Sequence, residues 1–284
     1  MPKVAQDHKR LEIDTPILLC TGLGGAGRCY PDYYAKFGEE KVKVLCWDKN
    51  CTDLKSHLDF IRANIPENQS FVAVGHSMGG SLLLELLARE RIPNLEGLVL
   101  VGASRRMRSD QGLNFIMKFP WFFLWIFSIL ITLAFPITIL FWRSKTYDTY
   151  RELWRFLTKD GAQKIHKQYN LTLRKLGTIK RILNPEVPLV IVRLKEDTLI
   201  DKKDLAYTKT MFHNVHEQII KSNSLHLTEK FDPITVEKIA LEAKFLRLIT
   251  EKTQEKEGEY YSLSIKEGFT KRKPSTVVEI EEIS

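Results

Sequence analysis

Five short, almost continuous apolar runs constrain the fold of this chain most strongly. They are PILLC (16–20), VKVLCW (42–47), FVAV (71–74), LVLV (98–101) and PLVIVR (188–193). Strands buried on both faces have this pattern, which is typical of a parallel sheet. Helical patterns separate several of these runs, so we expect an α/β fold with a mostly parallel central sheet flanked by helices.

The alternation of strands and helices predicts three regions in the 284 residues. It stops after Val101 and resumes at Pro188, so residues 1–104 and 184–250 are expected to form the core. Residues 105–183 are then a helical, strongly apolar cap insertion. Residues 251–284 are charged and lack a long apolar run, which predicts a flexible tail.

One serine stands at a sharp corner of the chain, in GHSMG (75–79). This G-x-S-x-G lies between a predicted strand and a predicted helix, which is the context of a nucleophilic serine. Such a turn strains the backbone of Ser77 and exposes its hydroxyl, and side chains at Gly75 and Gly79 would collide with the strand and helix. A tight turn without chemistry is the alternative. A serine nucleophile also needs a base, an acid and oxyanion donors.

Around this corner the chain resembles the α/β-hydrolase superfamily, in particular its lipase-like and esterase-like members. The resemblance covers about residues 16–104 and 188–248. LLCTGLGGAG (18–27) is similar to the oxyanion loop of that superfamily, although Thr21 stands where a histidine is usual. The resemblance implies that the backbone NH groups of Leu23 and Met78 hold the oxyanion.

The resemblance also implies the partners of Ser77. It places the triad acid just past the strand that follows the cap, at Asp197, with Glu196 and Asp201 as rivals. It places the base on a loop after the last core strand, at His226. Two positions depart from the superfamily: Leu194 replaces a usual glycine, and Leu225 replaces a small residue before the histidine.

The glycines of the first loop allow a second interpretation. Gly22, Gly24 and Gly27 satisfy G-x-G-x-x-G after a predicted strand, and Asp48 could bind the ribose of a dinucleotide. The sequence RCYPDYY (28–34) interrupts the helix that should begin inside this motif. A dinucleotide site also leaves the serine corner unexplained, so we expect no cofactor.

Composition limits the remaining choices. Cys20, Cys29, Cys46 and Cys51 match no paired C-x-x-C spacing, so we expect no metal site. The net charge of +8 suits anionic lipid headgroups, whereas no basic and aromatic run favours nucleic acid. The first 15 residues lack the apolar centre of a secretory signal, so an intracellular protein is expected. The oligomeric state is not indicated.

The apolar segment 119–142 indicates where the substrate comes from. Its 24 residues carry no charge and are flanked by Lys118, Arg143 and Lys145. It is long enough to cross a bilayer, but a single crossing would separate Ser77 from the predicted acid and base. A monotopic segment lying in the membrane surface is favoured. A buried apolar cap and a separate domain are the alternatives.

Together these patterns predict a membrane-associated serine esterase or lipase. Ser77, His226 and Asp197 would cleave an acyl ester of lipid character through an acyl-enzyme. An acyltransferase with the same nucleophile is one alternative. A noncatalytic relative that binds a lipid or a protein partner through the insertion is the other.

Overall fold

A computed structural model of the chain shows one sheet with helices packed against it. It describes residues 15–24, 41–48, 50–107, 114–115, 117–126, 129–130, 133, 161–195, 197, 199–221 and 276–281. The strands are β1 (Ile17–Cys20), β2 (Val42–Leu45), β3 (Phe71–His76), β4 (Leu95–Val101), β5 (Leu189–Leu194), β6 (Val215–Lys221) and β7 (Thr276–Glu281). The helices are α1 (Leu54–Arg62), α2 (Met78–Leu87), α3 (Ala162–Leu171) and α4 (Lys202–Thr210), with a 3₁₀ turn at Leu173–Lys175.

The seven strands form one sheet in the order β2-β1-β3-β4-β5-β6-β7. Every neighbouring pair is parallel. The carboxyl ends of all strands therefore lie at one edge of the sheet, where ligands of open α/β sheets bind. The α/β fold with a parallel sheet, predicted from the apolar runs, is confirmed.

The core lies between the sheet and its helices, and α2 is its most buried helix. All ten residues of α2 are buried, and Leu82, Leu84 and Leu86 have no exposed surface. They belong to the same hydrophobic cluster as Leu98 and Ile191 of the central strands. Burying one such side chain stabilises a fold by about 1.5–3 kcal/mol. This packing holds the start of α2 firmly against the sheet.

Strand β7 comes from the region that the sequence predicts to be a flexible tail. Residues 276–281 pair in parallel with β6, from His216 opposite Thr276 to Lys221 opposite Glu281. The short run TVVEIE contains β-branched residues, which favour extended backbone. These six residues are extended because the edge of β6 supplies hydrogen-bond partners that the sequence pattern does not reveal, and the flexibility of residues 251–284 stays a prediction.

Part of the predicted insertion is helical. Residues 121–126, near the start of the insertion, form a short helical segment. Helix α3 lies near the end of the insertion. Leu124 is buried against Ile165 and Tyr169 of α3, and the Asn170 side-chain amide donates to the Met117 carbonyl at 3.1 Å. Among the residues that the structure describes, including those of the insertion, no helix has the length and apolar character needed to cross a membrane.

Candidate active site

Ser77 occupies the turn between β3 and α2. Its φ is 51° and its ψ is −121°, and it is the one non-glycine residue with positive φ among those described. A side chain held in such a conformation costs about 1–3 kcal/mol, which the surrounding packing must offset. The Ser77 NH donates to the Val101 carbonyl at 2.9 Å, and its own carbonyl accepts from Gly80 NH at 3.1 Å. The strained turn predicted for Ser77 is confirmed.

The glycines on either side of Ser77 are required by close backbone contacts. A Cβ atom on Gly75 would lie 2.3 Å from Cα of Gly80, inside α2. A Cβ atom on Gly79 would lie 2.3 Å from the carbonyl oxygen of Cys20, at the end of β1. Both separations are far below van der Waals contact, so the collisions expected from the sequence are confirmed.

The loop after β1 lies beside the nucleophile. A Cβ atom on Gly22 would lie 3.3 Å from Cβ of Ser77 and 3.2 Å from Nδ1 of His76. Thr21, which replaces the usual histidine, is buried, and its hydroxyl donates to the Leu45 carbonyl at 2.9 Å. The structure thus brings the loop of Leu23 to the nucleophile turn, as the resemblance implies.

Two further side chains bind this loop, and neither was singled out from the sequence. The Trp47 indole NH donates to the Gly22 carbonyl at 2.8 Å. Gly24 NH donates to Oε1 of Gln168 at 3.0 Å. The sequence places Trp47 at the end of the apolar run 42–47, but nothing there connects Gln168 to a loop 144 residues away.

Met78 is the first residue of α2 and follows the nucleophile directly. The first NH groups of a helix have no acceptor within the helix, and the helix dipole is positive at this end. The start of α2 therefore favours negative charge next to Ser77. A developing oxyanion is one group that could take this place.

Asp197 follows β5, at the same sheet edge as Ser77. Its carboxylate accepts a hydrogen bond from Leu199 NH at 2.9 Å, which orients it. The rival Asp201 is the N-cap of α4 and accepts from Lys203 NH at 2.7 Å and from Asp204 NH at 3.3 Å. A helix-capping role accounts for Asp201. The other rival, Glu196, lies outside the described residues.

The strand order sets the spacing of the predicted triad. One strand, β4, separates β3 from β5, so these two strands lie about 10 Å apart at the usual strand spacing. A histidine between their ends could bridge a serine and a carboxylate. The predicted base His226 follows β6 in the chain but lies outside the described residues.

Other histidines occupy structural positions. His57 of α1 is fully buried, with Nδ1 2.6 Å from the Asp53 carbonyl oxygen. Burial lowers the pKa of His57, while the hydrogen bond to Asp53 acts in the opposite direction. His216 is a buried residue of β6, and His166 lies on α3. His76, next to the nucleophile in the chain, lies close to Gly22 of the oxyanion loop.

Two of the four cysteines are buried in the described structure, and Cys29 lies outside the described residues. Cys20 and Cys51 are free and buried, and burial raises the pKa of the Cys20 thiol. Across the described ranges, no group of three or more His, Cys, Asp and Glu side chains is arranged to hold a metal ion. Cys20 instead packs in the main hydrophobic cluster as a small apolar residue.

Comparison with known proteins agrees with this architecture. The model of the family described as serine aminopeptidase, S33 matches residues 37–216. No curated protein matches the chain significantly in sequence.

Solved structures share the fold at low sequence identity. A lipase-esterase related protein from Clostridium acetobutylicum superposes with a TM-score of 0.53 and 13% identity, covering 83% of this chain and 95% of that one. A thermophilic esterase superposes with a TM-score of 0.52 and 15% identity, covering 83% of this chain and 89% of the esterase. MenH from S. aureus superposes with a TM-score of 0.51 and 13% identity, covering 87% of this chain and 96% of MenH. Since the family match spans more than half of the chain, the protein belongs to the serine aminopeptidase S33 family of the α/β-hydrolase superfamily.

Proposed function

We propose that the protein is a membrane-associated serine esterase that cleaves an acyl ester of a lipid-like substrate. The observation that carries this proposal is the contact between the Ser77 turn and Gly22. A serine in a strained strand-to-helix turn lies against the loop of Leu23, with the start of α2 on its other side. This is the arrangement that attack on a carbonyl requires.

The proposed reaction has two halves. Oγ of Ser77 attacks the ester carbonyl carbon while His226 takes the hydroxyl proton, and the NH groups of Leu23 and Met78 hold the oxyanion. The alcohol then leaves with the proton from His226, and an acyl-enzyme remains. Water, deprotonated by His226, attacks the carbonyl carbon of that acyl-enzyme, and the bond to Oγ of Ser77 breaks as His226 returns the proton to Oγ, which releases the acid. Asp197 keeps His226 in the orientation that both halves need.

An exposed apolar surface supports a lipid substrate. It consists of Trp121, Phe122, Phe123, Trp125 and Ile126, each more than 40% exposed, while Leu124 between them is 1% exposed. Leu124 belongs to a small cluster with Ile165 and Tyr169, and Leu23 packs against that cluster. The apolar surface is therefore joined to the loop that is proposed to hold the oxyanion.

A lipid membrane is the partner that we propose for the apolar surface. Contiguous exposed apolar side chains are costly in water and mark interaction sites. Tryptophans are favoured at the membrane–water interface, and Lys118 and the net charge of +8 suit anionic headgroups. Docking would be monotopic, with a lipid acyl chain passing from the bilayer into the site.

The nucleophile can be tested with a fluorescent fluorophosphonate, which phosphonylates activated serines. We expect wild-type protein to be labelled and Ser77→Ala to remain unlabelled. Ser70→Ala, which removes an exposed serine before β3, is the matched control and should be labelled normally. Absence of labelling in the folded wild type would contradict the proposal and favour a noncatalytic binding protein.

Substrate and membrane are tested together with liposomes. We expect hydrolysis of acylglycerols or lysophospholipids to rise when anionic vesicles are added, and amino-acid anilides to remain uncleaved. Replacing Phe123 and Trp125 with glutamine should abolish vesicle binding, whereas Leu183→Gln, an exposed leucine outside the apolar surface, should not. Activity confined to soluble esters or anilides, unchanged by vesicles, contradicts the lipid proposal.

A further inference from the structure

Both peptide groups that flank Leu23 are held by side chains from other parts of the chain. The Gly22 carbonyl accepts the indole NH of Trp47 at 2.8 Å. Gly24 NH donates to Oε1 of Gln168 at 3.0 Å. Trp47 lies just past β2, and Gln168 lies on α3, so two separate elements converge on a single loop residue.

The Trp47 bond determines where the Leu23 NH points. A trans peptide is planar, so the carbonyl of Gly22 and the NH of Leu23 point in opposite directions. While the indole holds this carbonyl, the Leu23 NH is turned to the other side. Rotation of the same peptide would exchange the two groups and replace a donor with a carbonyl oxygen, which repels an oxyanion.

Gln168 fixes the following peptide. Its side chain is fully buried, and its Nε2 donates to the Cys51 carbonyl at 3.0 Å while Oε1 accepts from Gly24 NH. Gly24 has a φ of +75°, a conformation that glycine adopts without steric cost. Lys164, one turn earlier on α3, donates to the Trp47 carbonyl at 2.7 Å. The same helix thus ties both Gly24 and Trp47.

We infer that Trp47 and Gln168 are positioning residues that orient the Leu23 NH for oxyanion binding. The inference rests on the proposed function, since it assigns a role within that reaction. The indole prevents rotation of the Gly22–Leu23 peptide, and the glutamine prevents rotation of the Leu23–Gly24 peptide. Helix α3, part of the predicted cap insertion, therefore acts on the chemistry of the core through the oxyanion loop.

The test compares Trp47→Phe and Gln168→Met with the wild type on a soluble ester. Each change removes hydrogen-bonding groups but keeps much of the buried volume. Loss of one oxyanion donor lowers kcat by about 10²–10³, so loss of its support should lower kcat by about tenfold to a hundredfold. KM should stay within about twofold, because the ground-state carbonyl needs the donor less.

A second readout separates positioning from damage to the fold. The affinity for an alkyl boronic acid, which forms a tetrahedral adduct on a serine, should fall in parallel with kcat/KM. Gln69→Met, at an exposed position, is the matched control and should leave both unchanged. If Trp47→Phe does not fold, Gln168→Met alone carries the test.

The two proposals fail in different ways. A wild type that does not react with fluorophosphonate removes the proposed function, and with it this inference. A reactive wild type with folded variants that keep its kcat and boronate affinity overturns only the positioning role. A rise in KM at constant kcat would also overturn it, because that result indicates altered substrate binding.

Discussion

Gly22 and Ser77 are in contact, since a Cβ atom on Gly22 would lie 3.3 Å from Cβ of Ser77. Packed interiors leave little room for an added methyl group, so Gly22→Ala should displace the loop from the nucleophile. We expect kcat for a soluble ester to fall by about tenfold or more. Thermal unfolding should show that the variant is folded at the assay temperature.

Gly161→Ala is the control for this change. Position 161 has open space for a Cβ atom, but its φ is +71°. The variant should lose about 1 kcal/mol of stability through backbone strain and keep its activity. Wild-type kcat in Gly22→Ala would show that the loop does not act at Ser77.

Asp197 and Asp201 are expected to differ in what their loss affects. Asp197→Asn should lower kcat by about 10⁴, as removal of a triad carboxylate does in serine proteases. Asp201→Ala should lose the N-cap of α4, at a cost of about 0.5–2 kcal/mol in unfolding free energy, with kcat kept. Ester hydrolysis and urea unfolding measure the two effects, and the reverse pattern would assign the acid to Asp201.

Glu217 is expected to make the fold sensitive to acid. Its nearly buried carboxylate accepts from Arg193 at 2.6 Å and from Lys209. Burial raises the pKa of Glu217, but hydrogen bonds from Lys209 and Arg193 outweigh it, so the net pKa lies below its ordinary value of 4.5. Just below pH 4.5 the unfolded chain therefore binds a proton at Glu217 that the native chain does not. As the pH decreases further, the free energy of unfolding decreases as well.

The variant Glu217→Gln tests the two ion pairs that Glu217 forms with Arg193 and Lys209. It leaves two partly buried cations without their carboxylate, so it should cost about 3 kcal/mol in urea unfolding at pH 7. Between pH 4.5 and more acidic pH, its stability should depend less on pH than that of the wild type. Equal slopes in that range would assign the acid sensitivity to other carboxylates.

His57 predicts a second, milder pH dependence. Burial holds its pKa below the ordinary value of 6.5, against the effect of the Asp53 carbonyl, and its Nε2 has no hydrogen-bond partner within the described structure. As pH falls below 6.5, the unfolded state gains a proton first, so the native state loses stability. Urea midpoints at pH 7.5 and 5.5 should differ less in His57→Gln than in the wild type.

The sheet and the nucleophile turn could be predicted from local sequence patterns. The five apolar runs correspond to β1–β5 with boundaries shifted by at most three residues, because strands buried on both faces are almost continuously apolar. Lys43 is an exception, since it is an exposed residue of the edge strand β2. Helix α2 begins at Met78, directly after the turn at Ser77. The collisions at Gly75 and Gly79 follow from the same turn.

Contacts between distant segments could not be predicted in this way. Strand β7 depends on the free edge of β6, and TVVEIE alone is too short to indicate a strand within a charged tail. The apolar character of segment 119–142 was evident from the sequence, but the contact of Leu124 with the cluster that Leu23 packs against depends on the packing of α3. His226 lies outside the described residues, so its role as the base stays a prediction from the resemblance.

By itself, the sequence determined the parallel α/β core and the serine at its sharp corner, because both depend on residues adjacent in the chain. Only the tertiary structure decided how the loop of Leu23 is held. Trp47 and Gln168 reach that loop across 25 and 144 residues, and hydrogen bonds of such range form only once folding has brought the distant segments together.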